Sequence, residues 1–418
     1  MSRSRLALWL APPAVYGEFG PVSPVVGGPS LVDYPPWPSP DHRRHDLRTE
    51  FAACVRRIAG DREGVGVALS GGLDSLAVLV TLHRLVGRER KIVALVTELV
   101  DDTGRSNVPV VLRLVAGLGL TCELKVFDRD RLPRGPVAWS ARGPRLEAVP
   151  TANQVIAEEA EAAGASVVLT GYGADEVLGS VRFLAAELAL RGMLGRARGY
   201  ARDSVFASRK ALSFEAMAAG ARMLPRKLRA ETYFAAGCAA LCGARPSTAL
   251  SGPYRDLVSD WTRSWVDNVL RLHAEHHRSW ATMEAWERLF PIHPMHSPGP
   301  VPVVDTFLDR EFLEAACRLP LERRHDAGYP HAYWREKAQV LRLLPTAALP
   351  LLPRRKQVFH TELTSLSAER LDAPCLEEAG ILRRAALARE DDILVRDRIR
   401  AVESWLGEAL SRDCVLVD

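Results

Sequence analysis

The chain has few cysteines, and their arrangement argues against a disulfide scaffold. Seven cysteines are scattered over 418 residues, an odd number, and no two of them form a CxxC pair. Disulfide-rich secreted domains usually carry an even number at regular spacing. Cys238 and Cys242 lie close together in an alanine-rich stretch. Without a second ligand pair they favour buried small residues over a zinc site. We therefore expect a protein of the reducing cytoplasm.

Long apolar runs and concentrated charge are also missing. No uninterrupted apolar segment approaches the roughly 20 residues of a membrane-spanning helix. The short apolar run near the start is broken by Pro12 and Pro13, which argues against a signal peptide. The net charge is only +4, and the basic residues are spread along the chain. We expect neither a membrane nor nucleic acid as a partner.

Composition and periodicity divide the chain into four parts. Residues 1–44 are rich in proline and glycine, which predicts an N-terminal arm too short for a catalytic domain. Residues 45–180 alternate strand-like and helix-like segments. Residues 181–300 are rich in alanine, leucine and arginine, and residues 301–418 are mainly helical in pattern with proline breaks. We interpret these last two parts as a helical insertion and a helical C-terminal part.

Residues 45–180 have the pattern of an α/β fold. Apolar, strand-like runs occupy residues 64–69, 91–100, 122–127 and 166–170, with helical spacing between them. Strands that alternate with helices imply right-handed crossovers and a parallel sheet with helices on both faces. Such sheets bind ligands at the carboxyl ends of their strands. Glycine-rich turns follow the first and the last of these runs, so both are expected at a binding edge.

The strongest motif is a hexapeptide between the first strand and the next helix, Ser70-Gly71-Gly72-Leu73-Asp74-Ser75. Adjacent glycines let the backbone approach a polyanion, and the helix N-terminus offers N–H groups. A carboxylate would repel phosphate directly, so Asp74 is better explained as a Mg²⁺ ligand. The chain contains no Gly-Lys dipeptide, which excludes a Walker A loop. The motif predicts a nucleotide site, and an ordinary turn is the alternative.

Four segments together resemble a known family. The hexapeptide resembles the loop of the PP-loop ATP pyrophosphatases, which cleave ATP between its α and β phosphates. Residues 169–180 resemble the second signature of asparagine synthetases, and residues 304–309 and 352–359 resemble two further segments of that family. The resemblance runs from about residue 46 to residue 359. It implies a PP-loop, HUP-like α/β fold and an acyl-adenylate formed from ATP with Mg²⁺.

The resemblance also implies roles for particular residues. It places Asp74 and Asp175 as ligands of a Mg²⁺ ion that bridges the phosphates of ATP. An acidic turn that caps a helix is the alternative for either aspartate alone. Lys356 is implied to stabilise charge on the reacting acyl group, with an exposed basic loop as the alternative. The implied nucleotide-binding residues are Leu69, Ser70, Gly71, Gly72, Asp74, Ser75, Val96, Thr170 and Gly171.

The sequence departs from asparagine synthetases in two places. Their glutaminase domain starts with a cysteine, whereas residue 2 is serine and no cysteine precedes Cys54, so we expect no glutamine hydrolysis. Tyr172 stands where they usually have aspartate and is similar to the tyrosine of β-lactam and carbapenam synthetases, which deprotonates the amine. A phenol titrates near 10 in water, so it needs a carboxylate partner. Glu287 is our candidate and Glu284 its rival, whereas a packed, non-catalytic tyrosine is the alternative.

These observations predict an ATP-dependent amide synthetase of natural-product biosynthesis. It would join a small-molecule or peptide carboxylate to an amine and release AMP and pyrophosphate. Whether the amide forms within one molecule, giving a lactam, and whether the protein is a homo-oligomer stay open. A macrocyclase similar to the lasso-peptide cyclases is one alternative. An inactive scaffold subunit is the alternative from another class.

Overall fold

The structure is a computed structural model, and it describes most of the chain. The described residues are 1–10, 23–27, 46–87, 89–128, 139–141, 143–144, 152–207, 210–237, 246–289, 299–359, 361, 371–390 and 393–418. Cys238 and Cys242, for which we predicted a packing role, lie outside them. The described cysteines are free, and they are Cys54, Cys122, Cys317, Cys375 and Cys414.

A five-stranded sheet forms the centre of the described fold. Its strands are β1 Gly64–Ala68, β2 Lys91–Glu98, β3 Glu123–Asp128, β4 Val168–Thr170 and β5 Val303–Asp305. The spatial order is β3-β2-β1-β4-β5, and every neighbouring pair is parallel. The α/β class predicted from the sequence is confirmed. From β1 the chain first adds β2 and β3 on one side, and then β4 and β5 on the other. The order thus reverses between β1 and β4, and in such sheets ligands bind at the carboxyl ends of the strands at that point.

Strand β5 was not predicted. We expected a helical pattern from residue 301 onward, but Val303–Asp305 pairs with β4 in the register Val168↔Val303 to Thr170↔Asp305. A run of three residues is too short to show the alternation by which a strand is recognised. Its extended conformation comes from pairing with a neighbour that lies far away in the sequence.

Helices cover the sheet and extend beyond it. The α-helices are α1 Arg3–Trp9, α2 Leu47–Ala59, α3 Leu73–Val86, α4 Val108–Gly117, α5 Ala152–Ala162, α6 Ala174–Leu178, α7 Leu184–Leu190, α8 Leu194–Ala207, α9 Ala211–Ala221, α10 Arg226–Gly237, α11 Gly252–Glu275, α12 Trp280–Leu289, α13 Arg310–Cys317, α14 Ala332–Glu336, α15 Ala338–Leu343, α16 Pro374–Glu378, α17 Arg384–Leu387 and α18 Ile393–Ser411. Short 3-10 turns occupy Thr306–Leu308, Leu321–Arg323 and Thr346–Leu351. Within the described ranges, no helix is both long enough and apolar enough to cross a membrane.

Both faces of the sheet are buried. Ala94 and Val96 of β2 share a core with Leu79 of α3. The alternate residue Leu95 belongs to another core, with Ile156 of α5. Successive side chains of a strand point to opposite faces. Helices therefore close the sheet on each side, and only its edges are left for ligands.

Two further cores lie away from the sheet. Tyr233, Trp265 and Trp280 are almost fully buried in the core of the helical region. Near the start of the chain, α1 packs against the C-terminal helices, where Trp9 and Trp405 are almost fully buried. The described start of the predicted arm is thus a helix anchored in a core. Its apolar run is too short to show helical periodicity in the sequence.

The aromatic cluster beside β5 gives a test of the core. Phe307 is fully buried, and its ring stacks on Phe51 with the centroids 4.7 Å apart. We expect Phe307→Ala to lower the free energy of unfolding by about 3–5 kcal/mol, because it leaves a cavity. Urea unfolding followed by circular dichroism measures this change. Leu190→Ala is the control, since Leu190 is 67% exposed. Equal effects of the two substitutions would contradict the packing described above.

Candidate functional site

The loop after β1 leads directly into α3. Gly71 has φ +83°, a left-handed conformation that glycine adopts without strain. Gly72 is the N-cap of α3, and no side chain in the described part of the chain caps it. The first-turn N–H groups of a helix have no partner within the helix. An uncapped N-terminus preceded by glycines is suited to phosphate, so the geometry fits the loop predicted from the sequence.

The turn after β4 lies directly against this loop. A Cβ atom on Gly171 would lie 2.5 Å from the backbone N of Ser75, so only glycine fits there. Thr170 Oγ1 donates to Asp305 Oδ1 at 2.6 Å and accepts from Tyr172 N at 3.2 Å. Strand β5 thus fixes the turn from the other side. Because β1 and β4 are parallel neighbours, their two loops open at the same edge of the sheet.

Asp74 and Asp175 meet around the ammonium group of Lys337. Lys337 Nζ lies 2.6 and 2.5 Å from the two carboxylate oxygens of Asp74 and 2.6 Å from Asp175 Oδ1. Lys337, between α14 and α15, is only 2% exposed. A buried charge is costly unless opposite charges contact it. Lys337 therefore holds the two carboxylates close together, and their role as metal ligands stays a prediction.

Lys337 is the residue that our sequence analysis missed. Lys356 was identified through the resemblance of residues 352–359 to a family segment, whereas Lys337 lies outside every such segment. No motif that we recognised contains Lys337, and its partners come from two distant loops.

Lys356 extends the cluster toward solvent. Its Nζ lies 2.9 Å from Asp175 Oδ2. Burial alone would raise the pKa of Asp175, but Lys337 and Lys356 outweigh it and lower that pKa to about 2. At Asp74 burial dominates and raises the pKa, although Lys337 opposes it. Burial would lower the pKa of Lys356, but Asp175 raises it overall.

The charge cluster suits a divalent ion that is shared with a phosphate ligand. Within the part of the chain that the structure describes, no three or more His, Cys, Asp or Glu side chains form a metal site. Mg²⁺ commonly takes one or two carboxylates and completes its shell with water and substrate phosphates. Asp74 and Asp175 supply such carboxylates beside the uncapped end of α3. Both carboxylates are already paired with lysines, so an ion bound there would share them with Lys337 and Lys356.

Two clefts are lined by members of this cluster. The larger has a volume of about 930 Å³. Its charged and ionisable lining residues are Asp175, Glu176, Arg288, His331, Tyr333, Glu336, Lys337, Arg354, Arg355 and Lys356. The other, of about 570 Å³, lies beside the loops that follow β2 and includes Asp101 and Arg113. Lys356 lines both clefts. Each volume is within the roughly 300–1,000 Å³ of small-molecule sites.

The implied nucleotide-binding residues gather at this edge of the sheet. They lie in the loop after β1 (Leu69, Ser70, Gly71 and Gly72), in the first turn of α3 (Asp74 and Ser75), at the end of β4 (Thr170 and Gly171) and within β2 (Val96). The side chain of Val96 is fully buried in the core. The others lie in the two loops or beside them. Their roles in nucleotide binding stay predictions.

Tyr172 and its expected partner have different surroundings. Tyr172 is 40% exposed in the turn after β4. Glu287 is buried on α12, where its carboxylate accepts from the Tyr233 hydroxyl at 2.8 Å and lies 3.4 Å from His273 Nε2. Glu284, its rival, is buried as well and binds an arginine through both carboxylate oxygens. The pairing of Tyr172 with Glu287 stays a prediction.

Comparison with known proteins identifies the family. Residues 46–392 match the family described as asparagine synthase. The chain therefore belongs to the asparagine synthase family, which consists of ATP-dependent enzymes of amidation or ligation. Members of this family use ATP.

Two other comparisons add nothing to this assignment. No curated protein matches the chain. Among solved structures, the U34-tRNA thiolase NcsA from Methanococcus maripaludis with its 4Fe-4S cluster is similar over 55% of this chain and 79% of that chain. Its sequence identity is 13% and its TM-score is 0.24, so this likeness carries no argument.

The paired carboxylates give a second test. We expect Asp74→Asn and Asp175→Asn each to weaken Mg-ATP binding by more than about tenfold, or about 1.4 kcal/mol, because each removes a ligand of the ion. Asp74→Asn should also lower the melting temperature, since the buried Lys337 loses one of its two carboxylates. Calorimetric titration with Mg-ATP and thermal unfolding measure the two effects.

The control is Asp260→Asn, in a surface pair of α11 whose aspartate side chain is 73% exposed. It should change neither quantity. Normal Mg-ATP affinity in both site variants would mean that these carboxylates serve only to neutralise Lys337.

Proposed function

We propose that the chain is an AMP-forming amide synthetase that works in two steps. A substrate carboxylate attacks the α-phosphate of ATP, giving an acyl-adenylate and pyrophosphate. An amine then attacks the acyl carbon, and AMP leaves. Mg²⁺ held by Asp74 and Asp175 would neutralise charge on the departing pyrophosphate. The observation that supports this most directly is the meeting of these aspartates and two lysines beside the phosphate loop.

The two lysines are suited to different tasks. Lys337 is buried and bound to both aspartates, so it fixes their positions. The side chain of Lys356 is 57% exposed and reaches both clefts from its loop. An ammonium group in that position stabilises negative charge that develops on the acyl oxygen and on AMP. We therefore propose Lys356 as the catalytic cation and Lys337 as the positioning residue.

The proposal includes a role for Tyr172 as the base that deprotonates the amine. This role, and a place in natural-product biosynthesis, rest on the similarity of its motif to β-lactam and carbapenam synthetases. Tyr172 is exposed, and it lies three residues before Asp175 in the same turn. A lasso-type peptide substrate would use the same residues, so substrate tests must include peptides.

The products distinguish this mechanism from its rivals. Purified enzyme with Mg-ATP and a panel of carboxylic acids and peptides should release AMP and pyrophosphate only when an accepted acid is present. Chromatography separates these products from ADP and phosphate. Cleavage to ADP would contradict the adenylation step. Failure to bind Mg-ATP at all would favour an inactive scaffold.

The two half-reactions separate when Tyr172 loses its hydroxyl. Tyr172→Phe removes the proposed base but keeps the aspartate pair, and a carboxylate is already ionised near neutral pH. The variant should therefore exchange labelled pyrophosphate into ATP at a normal rate. It should form amide more slowly by on the order of 10² to 10⁴, the usual contribution of a positioned base. Higher pH should partly restore amide formation by supplying free amine.

Tyr254→Phe, on α11, is the matched control and should leave both rates unchanged. Equal loss of both half-reactions in Tyr172→Phe would show that the tyrosine is structural or contacts the nucleotide. Unchanged amide formation would mean that another group is the base.

A further inference from the structure

A smaller pocket extends from the large cleft into the helical region. Its volume is about 340 Å³, and it shares Ser180, Arg288 and Glu336 with the cleft. Phe183 and Phe214 contribute to an apolar wall. Arg288 Nη1 is already engaged, donating to the carbonyl oxygen of Ser180 at 2.6 Å. The mechanism proposed above gives this pocket no role.

Most charged groups around the pocket have partners. Arg182 binds Glu284 at 2.7 and 2.8 Å. Asp203 is 2.6 Å from Arg335 Nη1. Glu215 accepts hydrogen bonds from two backbone N–H groups and from a tyrosine hydroxyl. None of these carboxylates needs a ligand to offset its charge.

Glu336 is the exception. Its carboxylate forms no hydrogen bond or ion pair with any residue in the described ranges. It lies where the pocket meets the cleft, and its neighbours include Asp203 on the pocket side and Asp175 on the cleft side. Burial raises the pKa of Glu336, and both aspartates raise it further. Arg288 and Lys356 act in the opposite direction and lower it, but neither forms an ion pair with the carboxylate. An exposed carboxylate at the mouth of a pocket that no side chain in the described ranges contacts can bind a cation.

His325 adds an unused hydrogen-bond acceptor. It is 1% exposed and lines the pocket, and its Nε2 lies 3.1 Å from Asp203 Oδ2. Nδ1 has no hydrogen-bond partner among the described residues. Burial lowers the pKa of His325, which favours the neutral ring. With Nε2–H donating to Asp203, Nδ1 is left as an acceptor for a ligand group.

We infer that this pocket binds the amine substrate, a cationic amine whose apolar body carries a hydrogen-bond donor. This inference rests on the amide-synthetase function proposed above. Glu336 holds the ammonium where the pocket meets the cleft, close to the charge cluster. Phe183 and Phe214 contact the body, and His325 Nδ1 accepts from its donor. Glu336 is thus a specificity residue, separate from the aspartates that serve ATP.

The chemistry of the second step balances with the amine held there. The ammonium first gives one proton to the base. Its nitrogen lone pair then forms the C–N bond, and the acyl C–O bond to AMP breaks with its electron pair remaining on the phosphate oxygen. The second proton leaves the nitrogen to solvent. No oxidant or further reactant is needed.

Charge selectivity can be measured without knowing the natural substrate. Ser204 lines the pocket, and Ser204→Cys introduces a thiol there. Two thiol reagents of opposite charge are compared, the cationic 2-aminoethyl methanethiosulfonate and the anionic 2-sulfonatoethyl methanethiosulfonate. Each rate is divided by the rate of the same reagent with free cysteine. We expect the cationic reagent to modify the thiol at least about tenfold faster, because an unpaired carboxylate attracts it. Peptide mass spectrometry separates residue 204 from the natural cysteines.

Glu336→Gln in this background should bring the two corrected rates close to equal. Glu378→Gln, an exposed glutamate of α16, is the matched control and should preserve the preference. Equal rates before the glutamate is changed, or a preference that Glu336→Gln leaves intact, would overturn the assignment.

Amine recognition is then measured as protection of the thiol at position 204 from methyl methanethiosulfonate. Tyramine should protect better than phenethylamine, which lacks the donor, and better than tyrosol, which lacks the ammonium. Glu336→Gln should abolish the advantage of tyramine over tyrosol. No protection by either amine would refute the inference.

Mg-ATP binding and ATP cleavage are measured on the same proteins. Normal formation of AMP without amine protection refutes only the pocket. Protection by the amines without AMP formation refutes only the proposed function.

Discussion

The buried ammonium of Lys337 is the interaction on which the site depends. It brings together the loop after β1 and the turn after β4, because Asp74 and Asp175 each lie within 2.6 Å of it. Two carboxylates so close to one another would repel strongly without it. The close approach also requires Gly171, where any side chain would collide with the phosphate loop. One buried charge and one glycine thus set the geometry at the sheet edge.

The segment that carries Lys337 also connects the two halves of the proposed reaction. Glu336 precedes it directly in the chain, yet its carboxylate lies at the entrance to the pocket of the helical region. The backbone of Glu336 accepts from Ser180 N at 3.0 Å, which ties this segment to the chain just beyond α6. Neighbouring residues thereby serve the nucleotide side and the proposed amine side. In the proposed reaction, the two substrates would lie on opposite sides of one short stretch of backbone.

Much of the fold follows from local features that a sequence displays. The first four strands and the helices between them were predicted because alternation and helical spacing repeat over several residues. The phosphate loop was predicted because its glycines and its position before a helix are likewise local. That Asp74 and Asp175 belong at one edge followed from the rule that parallel strands end together. For these features the sequence by itself was sufficient.

Tertiary packing decided the remaining features, because they depend on partners that are distant in the chain. Strand β5 is extended only through its pairing with β4. Glu287 lies in the aromatic core of the helical region, where it contacts Tyr233 and His273, and no sequence pattern displayed these contacts. Lys337 carries no local signal, since its importance comes from two carboxylates that folding brings to it. Periodicity and motif spacing describe neighbours along the chain, whereas the charge balance of a buried group depends on neighbours in space.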